Sequence, residues 1–357
     1  MGQVPAVVEA DAPRVRCPDP EHGVVVAAVP WARHRAGHTR GFDDQVAWLA
    51  TQCSKLATCV LMRIPWRSVG AIVGRVYRGL KRAAPDPLSS LRRIGIDEVS
   101  YQRGRKYLTV ITDHDTGRVV WAAPGQDAAT LRRFFTEELG PARCAAITHI
   151  TSDLARWIAN AVAEHCPQAV RCADPFHVVA WAGEALDELR REVWNAAPGR
   201  RRTTRGGRGS TGPARALARA RWTLSKKPRD LTDKQQAKLD WIRKTNPTLH
   251  RGWALKEGLR HIFALGGEDG IHALDRWLAW AQRCRIPQFV ELGRRIKRHR
   301  GAIEATLRHG LSNALAEAVN TRIRLIIRRA CGFHNTDNLT SLIMLTLGGY
   351  TPALPGR

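Results

Sequence analysis

Apolar residues recur at helical spacing over residues 42–80, and they divide this stretch into three helices. The first begins near Asp43 or Asp44, either of which can cap it. Its apolar stripe, at i, i+3, i+4 and i+7, is Val46, Leu49, Ala50 and Cys53. The second helix lies near Ser54–Met62 and the third begins at Trp66.

The third helix has one apolar and one basic face. Its buried residues are Val69, Ile72, Val73 and Val76. Its outer face shows Arg67, Ser68, Arg75 and Arg78. A short helix, a tight turn and a helix with a basic outer face are what a helix-turn-helix needs to enter a major groove. The pattern therefore predicts an all-α DNA-binding domain over residues 36–83, and the alternative is an ordinary helical hairpin with a solvated face.

From residue 91 the apolar spacing changes to that of strands. Strands are predicted at Ile94–Val99, Lys106–Thr112, Arg118–Ala122, Ala145–Thr151 and Ala169–Ala173. Helices are predicted between the later strands, at Ala128–Leu139 and Leu154–His165. Three consecutive strands followed by alternating helix and strand predict a mixed α/β sheet over residues 91–180.

Two carboxylates stand at unusual places in this sheet. Asp97 comes late in an otherwise apolar strand, where a charge is costly unless it is paired or binds a cation. Asp153 lies where a strand gives way to a helix, which in open α/β sheets is where catalytic groups gather. Asp97 is either a strand-end Asp held by hydrogen bonds or a metal ligand.

Residues 181–300 are predicted to be helical, with a basic loop near 198–229. Between Ala196 and Arg229 the chain carries many Arg and Lys and no acid. The candidate phosphate-contacting residues of this loop are Arg200, Arg201, Arg202, Arg205 and Arg208. The alternative is a solvated charged loop without a partner.

The final part, residues 301–348, contains a helix from the cap Ser312-Asn313 to about Ala330. One of its faces carries polar residues at i, i+3, i+4 and i+7: Glu317, Asn320, Thr321 and Arg324. Glu317 is a candidate metal ligand, and a solvated helical glutamate is the alternative.

Composition favours a polyanionic partner. The chain has 57 Lys and Arg against 32 Asp and Glu, a net charge of +25, so nucleic acid is expected ahead of an acidic membrane surface. No apolar run reaches transmembrane length, and we expect a cytosolic protein. The eight cysteines include no C-x-x-C pair, so free thiols are expected rather than disulfides.

Three segments resemble the DDE-type insertion-sequence transposases of the ISL-three group. They read IGIDEVSYQRGRKYLTVITDHDTGRVVWAAPG, then CADPFHVV, then HGLSNALAEAVNTRIRLIIRRACGFHN, and the similarity extends from about residue 20 to the C-terminus. The resemblance implies a ribonuclease-H-like catalytic fold with a helical insertion before the final Glu. It also implies DNA cleavage and strand transfer at inverted terminal repeats, dependent on Mg²⁺ or Mn²⁺, with two ions expected.

Carried over residue by residue, the triad falls on Asp97, Asp153 and Glu317. Glu98 follows Asp97 in a strand and is expected to face away from the metals. His177 in DPFHVV either touches the phosphates or braces the start of its helix. Asn320 and Arg324 are expected to contact DNA.

Two positions depart from the family. Members generally begin with a four-Cys zinc ribbon, of which residues 1–35 are a mostly irregular remnant that keeps Cys17. With His22 as the other candidate ligand, no stoichiometric zinc is expected, because a structural site needs four ligands. Leu154 replaces the Gly that usually follows the second Asp.

We therefore expect a DNA transposase that is nucleoid-associated and acts as a homo-oligomer on its terminal repeats and target DNA, with no membrane partner. An inert DNA-binding regulator and a structure-selective nuclease are the alternatives.

Overall fold

The computed structural model describes residues 9–11, 13–19, 23–34, 36–198, 212–333 and 335–354. The chain divides into two compact units. The first comprises residues 1–86, 101–104 and 323–357, and the second comprises residues 87–100 and 105–322.

The first unit begins with an antiparallel ribbon of two short strands and continues with helices. The strands are β1 (Arg14–Arg16) and β2 (Val24–Val26). The helices are α1 (Arg40–Gln52), α2 (Lys55–Met62) and α3 (Trp66–Ala83). The first unit also contains α16 (Thr336–Leu347), which comes after the second unit in the sequence. The axes of α2 and α3 meet at 98°, a typical angle for a helix-turn-helix.

Local capping sets these helix boundaries. The α1 cap is Thr39, whose side chain accepts from the amide of Phe42 at 3.2 Å, so the prediction that Asp43 or Asp44 caps this helix is wrong. Ser54 caps α2, and Arg63 ends it in the left-handed conformation with φ 52°.

The predicted apolar face of α3 is confirmed, since Val69, Ile72, Val73 and Val76 are all buried. This helix packs against α1 and α16. Gly70 permits the approach of α16, because a Cβ at this position would lie 2.5 Å from Asn338 Nδ2.

The second unit contains the mixed sheet. Its strands are β3 (Arg93–Gln102), β4 (Lys106–Asp113), β5 (Val119–Pro124), β6 (His149–Ser152) and β7 (Val170–Ala173). Their order is β5-β4-β3-β6-β7, with β4 and β5 antiparallel and β3, β6 and β7 parallel. The predicted mixed α/β sheet is therefore present.

Helices connect these strands. They are α4 (Ala128–Arg133), which continues as a π-helical turn at Phe134–Leu139, then α5 (Pro141–Cys144) and α6 (Arg156–His165). The strand predicted from Ala145 begins four residues later, since the turn that follows α5 occupies its first part.

Helices follow from β7 to the end of the second unit. They are α7 (Pro175–Ala196), α8 (Gly212–Ala218), α9 (Arg221–Ser225), α10 (Asp233–Thr245), α11 (Pro247–Leu265), α12 (Gly267–Arg283), α13 (Pro287–Arg298) and α14 (Arg300–His309). A 3₁₀ turn lies at Pro228–Asp230. These helices share one apolar core that includes Leu186, Leu189, Trp277 and Phe289. The last helix to begin in this unit is α15 (Ala314–Arg329).

Within the described residues, no single helix is long and apolar enough to span a membrane. The bent pair α2–α3 would be long and apolar enough only if its two helices were taken together, by length and composition alone.

Candidate active site

Asp97 lies on β3, at the centre of the sheet. Its Oδ1 accepts a hydrogen bond from the amide of Glu98 at 2.8 Å. The pKa of Asp97 is raised to about 6, mainly by burial and also by the negative charges of Asp174 and Asp153, while the hydrogen bond from the Glu98 amide and the charge of His177 lower it. A buried carboxylate within electrostatic range of two others is the first sign of an anionic site.

Asp153 follows β6, which pairs in parallel with β3. The pairing ends at Gly95 and Thr151, and both aspartates lie two residues beyond these partners. Asp97 and Asp153 therefore lie at the same level, just beyond the point where the pairing of these neighbouring strands ends. The amide of Ala155 donates to Asp153 Oδ1 at 2.9 Å, which fixes the turn at the position where the family usually has Gly.

Asp174 completes a row of three aspartates. The pairing of β6 with β7 ends at Ser152 and Ala173, so Asp153 and Asp174 both come one residue later. Asp174 is buried, caps α7 by accepting from the Phe176 amide, and contacts Nδ1 of His177 with Oδ2 at 2.5 Å. The hydrogen bond to Asp174 raises the pKa of His177, as do the charges of Asp174, Asp153 and Asp97, while burial lowers it.

Sequence reasoning missed Asp174 as a functional residue. The available signal was that three neighbouring strands each lead to an aspartate, at Asp97, Asp153 and Asp174.

Glu98 is part of the same electrostatic group. Burial raises its pKa to about 8, and the charge of Asp153 contributes more than that of Asp97. Its Oε1 is buried and has no hydrogen-bond partner among the described residues. Strand alternation predicts that Glu98 faces away from the metals, and its carboxylate still interacts electrostatically with both aspartates.

Glu317 lies in the first turn of α15, and two buried asparagines fasten this helix to the sheet. Asn313 donates to the Ile96 carbonyl at 3.3 Å and accepts from Thr151 Oγ1 at 2.8 Å. Asn320, 2% exposed, donates to the carbonyl of Glu98 at 3.3 Å. The expectation that Asn320 contacts DNA is therefore wrong, since its side chain is buried against β3.

A cavity of about 390 Å³ places Glu317 near Asp174, with Phe176, Phe263 and Ser312 among the other lining residues. Within the described part of the chain, no three His, Cys, Asp or Glu residues are grouped closely enough to hold a metal ion. The structure thus couples Asp97, Asp153 and Asp174, and brings Glu317 to the same cavity as Asp174.

The carboxylates at this edge of the sheet are nevertheless of the ligand type that a hard divalent cation takes. Carboxylate oxygens are the ligands that Mg²⁺ prefers. Burial and the charges of neighbouring carboxylates raise the pKa values of Asp97 and Glu98, and the charge of His177 lowers both.

In the first unit, α3 carries the predicted basic face, with one correction. Arg67 and Arg78 are exposed and Ser68 is half-buried. Arg75 instead donates to both carboxylate oxygens of Asp43, at 2.8 and 2.9 Å. Because Asp43 is fully buried, Arg75 is engaged inside the unit and is not free to contact DNA.

A groove of about 1150 Å³ adjoins α3. The sequence did not predict this groove. The basic residues that line it are Arg33, His34, Arg40, Arg75, Arg78, Lys81 and Arg82. Arg324 of α15 is exposed. The arginines at 200, 201, 202, 205 and 208, and His22, lie outside the described residues.

All eight cysteines are free of disulfides, as expected, and Cys144, Cys166 and Cys172 are buried.

Comparison with known proteins identifies two matching families. Residues 94–343 match a family model described as a transposase of the ISL3 type, and residues 27–77 match the helix-turn-helix domain of transposase family ISL3. The chain is 58% identical over 367 residues to the transposase for insertion sequence element IS1557 of Mycobacterium tuberculosis, covering 100% of this chain and 82% of that protein. It is 29% identical over 300 residues to the transposase for element IS1001 of Bordetella parapertussis, covering 81% and 70% of the two chains.

Proposed function

Since this chain belongs to the ISL3 family of transposases, we propose that it cuts the 3′ ends of an insertion sequence and joins them to target DNA. Water attacks the phosphodiester at each end, the bond to the 3′ oxygen breaks, and a free 3′-OH remains. That 3′-OH then attacks a phosphodiester of the target, whose own 3′ oxygen leaves.

The catalytic unit is proposed to be ribonuclease-H-like. Support comes from the strand order β5-β4-β3-β6-β7, an antiparallel part followed by a parallel part, with Asp97 within β3 and with Asp153 and Asp174 directly after β6 and β7. Residues 181–300 would be the helical insertion before Glu317.

Asp97, Asp153 and Glu317 are proposed to hold two Mg²⁺ or Mn²⁺ ions, with Asp174 as a further candidate ligand. Bound ions would stabilise the charge that develops on the attacking and leaving oxygens. Neighbouring carboxylates raise the pKa values of Asp97 and Glu98, and a bound cation would relieve this repulsion.

His177 is proposed to bind a phosphate oxygen. Asp174 holds Nδ1, which orients the ring and favours its protonated form, so Nε2 is the nitrogen that faces a ligand. This combines the two roles considered for His177, since the same contact braces the start of α7.

The first unit is proposed to bind the terminal repeats through α3 and its groove. Arg67, Ser68 and Arg78 would contact DNA from α3, and Arg40, Lys81 and Arg82 would contact phosphates from the groove. Arg324 and the arginines of residues 200–208 would add phosphate contacts. We place the protein in the cytoplasm at the nucleoid, as a homo-oligomer on DNA, without stoichiometric zinc.

One observation carries the proposal: three adjacent parallel strands each lead to an aspartate, and the buried carboxylates there have raised pKa values. The test is nicking of a labelled duplex bearing the DNA that flanks the gene, with Mg²⁺ or Mn²⁺. Asp97→Asn, Asp153→Asn and Glu317→Gln should each reduce nicking by roughly three orders of magnitude or more, because each removes a carboxylate charge that would hold the ions.

Glu304→Gln is the matched control. Glu304 pairs with Arg300 on α14 and should retain nicking within about twofold. DNA affinity without metal should persist in all three acidic variants, because Lys and Arg supply most of it. Sequence-specific binding with no nicking by the wild type would favour the inert regulator, and cutting of branched DNA regardless of terminal sequence would favour the structure-selective nuclease. Normal nicking by Glu317→Gln would remove α15 from the site.

A further inference from the structure

A groove of about 820 Å³ lies in the helical part of the second unit, between α7, α9 and α11. One face of α7 forms a wall through Phe176, Ala180, Gly183 and Asp187, which follow one another at intervals of three or four residues. Its volume falls within the roughly 300–1,000 Å³ of sites that bind small organic groups.

The groove is basic. Six Arg or Lys side chains line it against two carboxylates, Glu184 and Asp187. The basic residues are Arg190, Arg191, Arg221, Lys227, Lys256 and Arg260. Such an excess favours an anionic ligand.

The cations differ in how far they are already neutralised. Arg190 and Arg191 share Asp187, and Lys256 and Arg260 share Glu257. Arg221 and Lys227 are exposed and form no ion pair in the described part of the chain, and the Arg221 guanidinium lies over the Trp222 ring, 5.7 Å from its centroid. These two side chains are therefore the ones available to a phosphate.

Two aromatic rings connect the groove to the candidate active site. Phe176 and Phe263 line the groove and also the smaller cavity that holds Asp174 and Glu317. Phe176 is 60% exposed, which is unusual for so large an apolar ring. An exposed ring beside unpaired cations is the combination that binds an unstacked base and its phosphate.

We propose that this groove binds one unpaired nucleotide of the DNA strand that enters the active site, with the base on Phe176 and Phe263 and the phosphate near Arg221 and Lys227. The inference rests on the proposed function, because the strand is the one to be cut. A base inside a duplex cannot present its face to a ring, so the occupant is a nucleotide extruded from the helix or left at a frayed end.

Gly183 provides a direct test. A Cβ at this position would meet no atom within 4 Å, so a larger side chain would project into the groove without a clash. Gly183→Leu would fill the groove, and Gly183→Ala is the matched control. Both substitutions favour the helix, since Gly is the poorer helix former.

The probes are a 20-base-pair duplex with a three-thymidine overhang, at either the 5′ or the 3′ end, and the same duplex blunt. Binding by the full chain is measured without divalent metal. The wild type and Gly183→Ala should bind one of the overhang duplexes at least about fivefold more tightly than the blunt one. Gly183→Leu and Phe176→Ala should lose this preference while keeping affinity for the blunt duplex, and the double variant Arg221→Gln/Lys227→Gln should reduce it.

Equal binding of overhang and blunt duplexes by the wild type would overturn the proposal, as would a preference that survives Gly183→Leu. If only the Arg221→Gln/Lys227→Gln variant lost the preference, the groove would contact a phosphate without binding a base. That result would also overturn the proposal. Because these measurements need no cleavage, they are independent of nicking. Nicking that depends on Asp97 would stand even if the groove proved empty.

Discussion

Two buried carboxylate sites show opposite electrostatics. Asp43 of the first unit is 0% exposed, and Arg75 binds both of its oxygens while Arg33 lies 3.7 Å away. Asp97 and Glu98 of the second unit are also largely buried. His177 is the cation that lowers their pKa values, whereas neighbouring carboxylates raise these pKa values. The first site is neutralised within the protein, and the second is arranged so that a bound cation would neutralise it.

The largest predicted effect comes from removing Arg75, the cation that neutralises Asp43. Arg75→Met leaves Asp43 buried beside the more distant Arg33, and should lower the free energy of unfolding of the first unit by about 3–5 kcal/mol. The measurement is calorimetric unfolding of the full chain, in which the transition of this unit moves to lower temperature. Arg78→Met is the control, because Arg78 is exposed on the same helix, and it should change stability by less than about 0.5 kcal/mol.

Adding Asp43→Asn to Arg75→Met should recover much of this loss, because the unpaired buried charge is then gone. Equal stability of Arg75→Met and Arg78→Met would show that the Asp43 pair has no structural role.

The second prediction concerns pH and the acidic site. The folded-state pKa of Glu98, about 8, lies above its ordinary value of 4.5, so the folded state binds more protons than the unfolded state between these values. Stability should therefore fall as pH rises from about 5 to 8, by on the order of a few kcal/mol in total. Asp97, with a pKa of about 6, adds to the lower part of this window.

Glu98→Gln should flatten the fall above pH 6 in denaturant titrations of the metal-free chain. An unchanged slope in this variant would mean that Glu98 does not titrate in this range. Glu138→Gln, an exposed carboxylate on the π-helical turn, is the control.

These comparisons also show what sequence could and could not predict. The apolar face of α3 and the alternating strands were predictable because local spacing determines which side is buried. The partner of Arg75 is 32 residues away, and the partner of Asn320 is 222 residues away, so their engagement depends on tertiary packing. Asp174 was missed for the same reason, since its place beside Asp153 follows from the order of the strands rather than from its neighbours in the chain.

The third prediction concerns stabilisation of the folded chain by a divalent cation bound at the acidic site. If Asp97 and its neighbours bind Mg²⁺ or Mn²⁺, saturating ion should stabilise the folded chain at pH 8, by about 2.7 kcal/mol at a hundredfold excess over Kd. Calorimetry with Mn²⁺ and with Ca²⁺ as a comparison ion would measure the shift. Asp97→Asn should lose most of it and Asp43→Asn should keep it, because the ion acts in the second unit. The same shift in both variants would place the ion elsewhere.

The smallest predicted effect separates Arg78 from Arg75 in DNA binding. Arg78 is exposed beside the groove of the first unit, so Arg78→Gln should remove one phosphate contact and leave the unfolding temperature unchanged. Each lost contact lowers the slope of log K against log salt by about 0.9. Duplex affinity measured at several salt concentrations should therefore show a shallower slope for Arg78→Gln, with similar loss for specific and non-specific sequences. Arg75→Gln should change affinity only as far as it unfolds the first unit, so at a temperature where that variant remains folded its salt slope should equal that of the wild type. A reduced slope in folded Arg75→Gln would mean that Asp43 releases this arginine to the DNA.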